Sequence, residues 1–482
     1  MITIVGLGPG NPAHLTLEAQ QVLERASELY LRTNRHPTVP FLPAHLILHS
    51  FDFLYEQAAD FAEVYEGIAE RVLALGQRPE GVVYAVPGHP LVGEATVRSI
   101  LEAARTRDDE VRIVAGLSFV EPVLTALGLD ALDGLQIVDA LDLAARHHPP
   151  LNPDLPALVG QLYGRDVASA VKLTLMNGYP AGHPVTLVRG AGTDEEWTRT
   201  LPLYELDRVD GVDHLTTLYL PPLAVVSGME SFQDTIARLR APGGCPWDRK
   251  QTHRSLRPNL LEETYEVLTA IDRDDTSALC EELGDLLLQI ALHAQIAVEE
   301  GEFSLADVVA GIDAKIKRRH PHVFGDVRVN GVADVMHNWE EIKREERAGR
   351  DEKKEHSMLD GVPTTLPALA RAQSLQRRAA RMGFDWEDVK GVWDKVAEEI
   401  AELRAATDAQ ARESELGDVL FAVTNLARWL GVDAESALRA ACDRFTRRFA
   451  TMERQCQERG LDLGRLSLAE WDVLWEEVKD DE

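Results

Sequence analysis

The sequence EELGDLLLQIALHAQIA at residues 281–297 recurs as SELGDVLFAVTNLARWL at residues 414–430. In both stretches the apolar residues follow the spacing of an α-helix with one apolar face. Each helix contains a glycine near its start, although glycine inside a helix costs about 1 kcal/mol relative to alanine. The repeated phrase Glu-Leu-Gly-Asp therefore needs a reason other than helix formation.

Further motifs recur around this phrase in the same order and at similar spacing. They are LLEETYEVLTAI (260–271) with KVAEEIAELRAA (395–406), KIKRRH (315–320) with DRFTRRF (443–449), and NWEEIK (338–343) with LWEEVK (474–479). An ordered set of matches indicates that a whole domain is duplicated. We predict two all-α domains, at 231–347 and 365–482, with a break near 348–367, where a charged stretch is followed by glycine and proline.

Acidic residues cluster on two consecutive helices of the second copy. Glu398, Glu399 and Glu402 lie on the first helix, and Glu415 and Asp418 lie one turn apart on the next. The stretch between them is long enough to turn the chain, so the helices can pack antiparallel and their carboxylates are expected to converge. The first copy has the same set: Glu262, Glu263, Glu266, Glu282 and Asp285.

Like charges on one helix face repel one another unless a cation offsets them. Mg²⁺ prefers oxygen ligands and keeps part of its hydration shell, so a few carboxylates suit it. A di-iron centre is the nearest competitor, but it usually needs Glu-x-x-His, and neither copy has a histidine at that offset. We predict a magnesium site in which Gly417, or Gly284 in the first copy, leaves room for a partner helix or a substrate.

Basic residues and a tryptophan follow in both copies. Guanidinium groups suit triphosphate oxygens because their planar fork matches them. The candidates in the second copy are Lys395, Arg444, Arg447 and Arg448, and those in the first are Lys315, Arg318 and Arg319. Trp475, and Trp339 in the first copy, either stacks on a base or packs in the core, and core packing is the commoner role.

Residues 1–222 have a different pattern, in which short β-rich runs alternate with amphipathic helices. The predicted strands include MITIVGLG, ELYLRT, GVVYAVPG, VRIVAG and LQIVDA, and EATVRSILEAARTR is a predicted helix. This alternation predicts a parallel or mixed sheet flanked by helices. HPVTLVRGAG and EEWTRTLPLYELD indicate antiparallel strands of a second lobe. The chain is thus predicted to be multidomain, with a two-lobed α/β domain followed by two all-α domains.

The composition excludes several classes of protein. The formal net charge is −30 and both halves are acidic, so we expect no nucleic acid and no anionic membrane as a partner. The four cysteines form no CxxC pair, as is typical of a reducing cytoplasm. MITIVGLGPG lacks the charged start of a signal peptide, and no apolar run reaches the roughly 18–20 residues that span a bilayer. We therefore expect a cytoplasmic protein.

Residues 231–482 resemble the tandem MazG family of nucleoside triphosphate pyrophosphohydrolases. The resembling motifs are GGCPWDRKQTH, LLEETYEVLTAID, EELGDLLLQIALHAQIA, RRHPHVFGD, WEEIKREER, RMGFDW, SELGDVLFAV and WEEVK. The resemblance implies all-α bundles, usually dimeric, that use Mg²⁺ to convert an NTP to the NMP and pyrophosphate.

Carried over by motif, the resemblance implies a metal site and a nucleotide site in the second copy. The implied metal ligands are Glu399, Glu402, Glu415 and Asp418, and the implied nucleotide contacts are Lys395, Glu398, Arg444, Arg447, Arg448 and Trp475. Glu398 is our own candidate for the proton acceptor, because it is a carboxylate close to the implied metal ligands. The C-terminal copy tends to be the catalytic one in this family, although the first copy here keeps all its carboxylates.

The first 222 residues resemble the tetrapyrrole (corrin/porphyrin) methylase family, in its YabN-like branch. The resembling motifs are VGLGPGN (5–11), LTLEAQQVLERASELYLRT (15–33), VVYAVPGHPLVGEATV (82–97) and GLSFVEPVLTALGLD (116–130). That family binds S-adenosylmethionine between its two lobes. The implied lining residues are Leu7, Gly8, Pro9, Gly10, Pro87, Gly88, His89, Pro90, Ser118 and Phe119. Asn11 and His89 stand where the family usually has acidic residues.

The lead interpretation is a Mg²⁺-dependent NTP pyrophosphohydrolase that clears nucleotides and is fused to an S-adenosylmethionine-dependent methylase-like domain. We expect a homodimer formed through the MazG helices. Two alternatives stay open at this point. In the first alternative, methylation is the chief activity and the MazG part is auxiliary. In the second, the chain is a regulatory scaffold that binds nucleotides.

Overall fold

The computed structural model describes residues 1–58, 61–348, 357 and 359–480. They divide into two compact units, Met1–Ala314 and Lys315–Glu482. Much of the predicted break at 348–367 lies outside the described residues, which omit 349–356 and 358. Within the described ranges, none of the helices combines the length and the apolar character that crossing a bilayer requires.

The first unit begins with a parallel sheet that has helices on both faces. Its strands are β1 (Ile2–Gly6), β2 (Glu28–Leu31), β3 (Ile47–Ser50), β4 (Val82–Val86) and β5 (Val111–Val114), in the order β3-β2-β4-β1-β5. Its helices are α1 (Leu17–Arg25), α2 (Asp52–Gln57), α3 (Phe61–Gly76), α4 (Ala95–Arg107) and α5 (Val120–Leu127). Every residue of β1, which lies between β4 and β5, is buried, and this explains its unbroken apolar run.

A second sheet follows in the same unit and is mostly antiparallel. It contains β6 (Gln136–Asp139), β7 (Ala157–Gly160), β8 (Pro184–Arg189), β9 (Trp197–Pro202) and β10 (Thr216–Leu220), in the order β6-β7-β10-β8-β9. Only β6 and β7 pair in parallel, and the other pairs are antiparallel. Helices α6 (Ala140–Ala144) and α7 (Arg165–Leu175) accompany it. The predicted two-lobed α/β fold is therefore confirmed.

Each sheet has its own core, which fixes the loops between strands and helices. In the first lobe, Ile4 of β1 and Tyr84 of β4 are fully buried against Val72 of α3 and Ile100 of α4. On the opposite face of that sheet, Val5 packs with Ala19 of α1. The second lobe is organised around buried residues of β7, β8, β10 and α7.

The rest of the described chain is helical, as predicted. The first unit continues with α8 (Met229–Arg240), α9 (Arg257–Asp272) and α10 (Thr276–Glu300), and α11 (Leu305–Arg319) begins in this unit and ends in the next. The second unit contains α12 (Pro321–Phe324), α13 (Val332–Ala348), α14 (Ala368–Arg381), α15 (Val389–Ala405), α16 (Ala409–Trp429), α17 (Ala434–Arg459) and α18 (Leu468–Asp480). The duplication is visible in the helices, because α9 packs on α10 as α15 packs on α16.

Candidate active site

A helical hairpin brings the carboxylates of the second copy together. Helices α15 and α16 are joined by residues 406–408, and Asp408 caps α16 by accepting a hydrogen bond from N of Ala411 at 2.8 Å. Carboxylate oxygens of Glu399, Glu402 and Glu415 lie within 4.8 Å of one another. The two residues on α15 share a face because they lie about one turn apart. The hairpin therefore forms an acidic cluster from both helices.

Burial and mutual repulsion act on this cluster. Glu399 is only 7% exposed. Nζ of Lys395 lies 2.7 Å from Oε1 of Glu399 and 3.0 Å from Oε1 of Glu398, and these contacts raise the pKa of Lys395. Desolvation, followed by neighbouring carboxylates with Glu402 first, raises the pKa of Glu415. A single lysine thus faces several carboxylates, and a divalent cation would stabilise their charged forms.

The position of Asp418 and the surroundings of Gly417 differ from what the sequence analysis led us to expect. Asp418 is not part of the group within 4.8 Å and instead lines a neighbouring cavity, although its charge still contributes to the raised pKa of Glu415. A Cβ placed on Gly417 or Gly284 would meet no heavy atom of the described residues within 4 Å. No helix of the described chain therefore occupies the space beside these glycines, and the approach of a helix from a second chain stays a prediction. Room for a substrate stays a prediction.

The cavity beside the carboxylates has a volume of about 400 Å³. Lys395, Glu399 and Asp418 line one part of it, and its aromatic residues are Phe384, Trp386 and Phe421. The cavity wall therefore combines charged and aromatic side chains, which suit a ligand that has an ionic group and a flat apolar ring.

A loop before α15 fixes the aromatic part of this cavity. Both Nη atoms of Arg428 donate to Asp385, at 2.9 and 2.6 Å. The ring of the next residue, Trp386, lies against the backbone of α15, because a Cβ on Gly391 would be 2.3 Å from its Cδ1 atom. The sequence analysis did not predict this cavity. The motif RMGFDW at residues 381–386, which contributes two of its aromatic residues, was noted there only as part of the family resemblance.

The predicted nucleotide-binding residues of α17 and α18 form a second group. The guanidinium of Arg448 lies 5.6 Å from the ring centroid of Trp475, and the ring of Phe445 lies 5.4 Å from the same ring. Trp475 packs against a buried core cluster, as the commoner interpretation of this tryptophan expects. Arg444 and Arg447 are exposed on α17. Their contact with a nucleotide stays a prediction.

The first copy repeats the acidic cluster. Carboxylate oxygens of Glu263, Glu266 and Glu282 lie within 4.8 Å of one another, at the positions that correspond to the second-copy cluster. Desolvation, followed by the hydrogen bond with Glu266, raises the pKa of Glu263. Asp285 and Glu262 lie outside the group but add to the same shift.

Two of the predicted basic residues of the first copy, Arg318 and Arg319, already have a protein partner. Nε of Arg318 and Nη2 of Arg319 donate to the carboxylate of Glu346 at 2.8 and 2.6 Å. These hydrogen bonds, with that of Arg319 the strongest influence, lower the pKa of Glu346 to about 2. Nζ of Lys343 lies 4.4 Å from the ring centroid of Trp339. A nucleotide would have to compete with these contacts.

In the N-terminal domain, the loops after β1 and β4 meet at two glycines. The N–H of Gly8 donates to the carbonyl of Gly88 at 3.2 Å, and the N–H of Gly88 donates back at 2.8 Å. Both glycines have positive φ, +72° and +66°, a conformation that other residues rarely adopt. This pairing holds the two predicted cofactor loops side by side.

A cavity of about 530 Å³ lies beside these loops, a volume suited to one small-molecule ligand. Several predicted cofactor residues line it: Pro9, Pro87, Gly88, His89 and Phe119. Leu7 and Ser118 are buried and are not among the residues that line it. Nδ1 of His89 accepts a hydrogen bond from N of Leu91 at 3.0 Å, an ordinary loop contact. The sequence did not indicate that Arg32 and Glu94, which form an ion pair, also line this cavity.

Comparison with known protein families defines the class of both halves. The profile described as "MazG nucleotide pyrophosphohydrolase domain" matches residues 251–324 and 378–452. The profile described as "Tetrapyrrole (Corrin/Porphyrin) Methylases" matches residues 1–207. The chain belongs to the family that joins a tetrapyrrole methylase domain to two MazG domains, and both resemblances are confirmed.

Individual relatives support this assignment. The chain is 43% identical to YabN of Bacillus subtilis (strain 168) over 495 residues, which cover 100% of this chain and 99% of that protein. It is 49% identical to the nucleoside triphosphate pyrophosphohydrolase of Escherichia coli (strain K12) over 248 residues, 50% of this chain and 93% of the relative. A third relative is the nucleoside triphosphate pyrophosphohydrolase/pyrophosphatase MazG of Thermotoga maritima, 44% identical over 250 residues, 52% of this chain and 95% of the relative.

Proposed function

We propose that this protein hydrolyses nucleoside triphosphates to the monophosphate and pyrophosphate with Mg²⁺, and that the second MazG domain does so. The observation that carries the proposal is the convergence of Glu399, Glu402 and Glu415 beside an aromatic cavity. Relatives that cover half of this chain at 44–49% identity bear the name of that activity. Removal of unwanted nucleotides is the cellular role that we propose.

The carboxylates fit a magnesium ion because all their donors are oxygen and their charges are not balanced by Lys395 alone. Glu399, Glu402 and Glu415 would hold the ion, and Asp418 would join from the cavity wall. When bound, Mg²⁺ makes a coordinated water acidic and offsets the charge of the leaving pyrophosphate. Glu398, which is more exposed and lies beside Lys395, is placed to accept a proton.

The protein's own side chains orient the nucleotide. Lys395 contacts Glu398 and Glu399 and is partly exposed, so its ammonium would be able to move from these carboxylates to a phosphate oxygen. The arginines of α17, with Trp475, would hold the rest of the triphosphate: Arg444, Arg447 and Arg448. The aromatic part of the cavity would hold the base, between Phe384, Trp386 and Phe421.

We also propose that the N-terminal domain binds S-adenosylmethionine in the cavity of about 530 Å³, beside Pro9, Pro87 and Phe119.

The proposed domain boundaries remain 1–222, 231–347 and 365–482. Two observations support the proposed homodimer and location. Apolar residues on α16 and α17 are exposed, among them Leu420 at 52% and Phe445 at 57%. The cysteines are free thiols, as a cytoplasmic protein would have them.

Pyrophosphate release from the common NTPs and dNTPs, measured with and without Mg²⁺, tests the main proposal. We expect metal-dependent release of pyrophosphate and the NMP, and the Glu399→Gln variant should lose it. Nucleotide binding without turnover would instead favour the scaffold alternative. Calorimetric titration of the full chain with S-adenosylhomocysteine tests the second proposal, and the absence of binding heat would remove the methylase function.

A further inference from the structure

Two histidines lie side by side where the hairpin of α9 and α10 ends. His253 comes four residues before α9 begins, and His293 lies two turns before the end of α10. Their Nδ1 atoms are 2.7 Å apart, so one of the two nitrogens donates a hydrogen bond to the other. The planes of the rings differ by only 3°. Because Nδ1 of His253 is engaged in this contact, Nε2 is the nitrogen that this ring offers to a ligand.

Two carboxylates lie beside that nitrogen. Nε2 of His253 is 3.9 Å from Oε2 of Glu300, the last residue of α10. Gly301 ends the helix with φ at +73°, and Glu302 follows directly. One ligand atom from each of His253, Glu300 and Glu302 lies within 4.8 Å of those of the other two. An imidazole and two carboxylates therefore converge at the end of α10.

The end of α10 carries more negative charge than its neighbours offset. Glu299, Glu300 and Glu302 stand at the C-terminus of the helix, where the helix dipole disfavours anions. Nε and Nη2 of Arg240 donate to Glu299 at 2.9 and 2.7 Å, so the charge of that carboxylate is offset. Among the described residues, Glu300 has His253 as its only charged partner, and Glu302 has none. A cation at this point would therefore stabilise the charged forms of both carboxylates.

The loop that carries His253 is fixed to α10 without a metal. Nη1 of Arg240, whose other nitrogens hold the end of α10, donates to the carbonyls of Asp248 and Gln251. Leu256, three residues after His253, is fully buried in a core cluster that includes residues of α10. These contacts already place the imidazole beside the carboxylates, so an ion would find its ligands in position.

The second copy links the corresponding segments with an ion pair. Asp385 lies four residues before α15, and Arg428 near the end of α16 donates to it at 2.9 and 2.6 Å. In the first copy, the residue four positions before α9 is His253, and it faces carboxylates instead of a guanidinium. The group that would join the same two segments in the first copy is therefore a cation.

We propose that His253, Glu300 and Glu302 bind a zinc ion that links the start of α9 to the end of α10. Zn²⁺ accepts imidazole nitrogen together with carboxylate oxygen, and three protein ligands leave a coordination position for water. With zinc on Nε2, Nδ1–H of His253 donates to Nδ1 of His293, which orients the ligating ring. The ion differs in class from the Mg²⁺ of the acidic clusters, whose donors are all oxygen. The site does not depend on the proposed hydrolysis.

Binding of Zn²⁺ to the full chain tests the proposal, with excess Mg²⁺ present to occupy the two acidic clusters. Free thiols also bind Zn²⁺, so the comparison is made between variants that keep all four cysteines. Glu302→Gln is the main variant, because this carboxylate contacts no charged group of the described chain whose loss could damage the fold. We expect it to bind the zinc ion at least about tenfold more weakly than wild type in equilibrium dialysis, since loss of a ligand should cost at least as much as loss of a group that supports one.

His253→Gln and His337→Gln form a matched pair. Each removes a histidine beside a glutamate, but His337 lies 3.7 Å from Glu341 on one helix, outside the group of converging ligands. We expect His253→Gln to lose the ion and His337→Gln to bind it as wild type does. As a second readout, Zn²⁺ should raise the melting temperatures of wild type and His337→Gln more than those of the other two variants. Equal zinc affinity of Glu302→Gln and wild type would overturn the proposal, and so would displacement of the variant-dependent ion by Mg²⁺.

Discussion

Nζ of Lys395 lies 2.7 Å from Oε1 of Glu399, one helical turn further along α15. The carboxylate is nearly buried, with 9% of its side chain exposed, whereas 36% of the lysine side chain is exposed. The lysine is therefore the group that can leave, and the carboxylate is the group that must keep a positive partner. This relationship would let the cluster stay folded without a metal and still bind the proposed Mg²⁺ ion.

The first prediction concerns the metal ligands. Glu399→Gln should lower NTP hydrolysis by more than about 100-fold, since loss of a direct ligand should cost at least as much as loss of the groups that support ligands. Asp418→Asn should also lower the rate of NTP hydrolysis. Pyrophosphate release at saturating Mg²⁺ measures both.

Glu263→Gln is the matched control, because Glu263 occupies the corresponding position of the first copy. We expect it to keep most of the activity. The assignment of the working copy would be wrong if Glu263→Gln lost activity while the two second-copy variants stayed near wild type.

The acidic cluster was predictable from sequence because helical spacing alone places Glu399 and Glu402 on one face. A repeated ExxD on the next helix supplied Glu415. The cavity was not predictable in the same way. Its aromatic wall depends on Trp386, which lies outside any regular helix and is placed by the small Gly391 and by the pairing of Asp385 with Arg428. Contacts of this kind have no periodic signal in the sequence.

The same distinction holds in the N-terminal domain. Alternating β-rich runs and amphipathic helices predicted the first lobe, and the paired loops at Gly8 and Gly88 follow from glycine motifs. The ion pair of Arg32 and Glu94 joins residues 62 positions apart in the sequence. Only the strand order of the sheet, in which β2 lies beside β4, brings them together.

The second prediction concerns the base. Trp386→Ala should raise KM for nucleoside triphosphates about tenfold or more, because it removes an aromatic wall of the cavity next to Lys395 and Glu399. Inorganic tripolyphosphate, which has no base, serves as a competitive inhibitor for comparison. Its inhibition constant should not change. An equal loss of tripolyphosphate affinity would show that the tryptophan supports the acidic cluster rather than the base.

The third prediction concerns pH and the acidic cluster without metal. Desolvation and neighbouring carboxylates raise the pKa of Glu415 above its usual value of about 4.3. Its protonated form is therefore favoured in the folded protein, and this contribution to stability is present at low pH and lost as the pH rises through the raised pKa. The melting temperature of wild type, compared with that of Glu415→Gln, should fall as the pH rises from about 4 through the raised pKa of Glu415.

The same melting temperatures, measured again in the presence of Mg²⁺, test whether the ion binds this cluster. Protons and Mg²⁺ compete for the same carboxylates, so Mg²⁺ should raise the melting temperature of wild type more at about pH 7 than at about pH 5. In the Glu415→Gln variant, Mg²⁺ should raise the melting temperature less than in wild type at both pH values. A wild-type increase that does not depend on pH would contradict an assignment of the ion to this cluster.

The last prediction separates the two roles of Lys395. In Lys395→Met, the carboxylates of Glu398 and Glu399 lose the ammonium that now contacts them at 3.0 and 2.7 Å. Without that competitor, Mg²⁺ should bind the nucleotide-free protein more tightly, by severalfold in a calorimetric titration. The nucleotide loses a phosphate contact, so KM for NTPs should rise by about tenfold. Lys390→Met, an exposed lysine in the first turn of the same helix, should change neither value. Because the two effects of Lys395→Met have opposite signs, general damage to the fold cannot imitate them, and weaker Mg²⁺ binding would show that the lysine supports the cluster instead of competing for it.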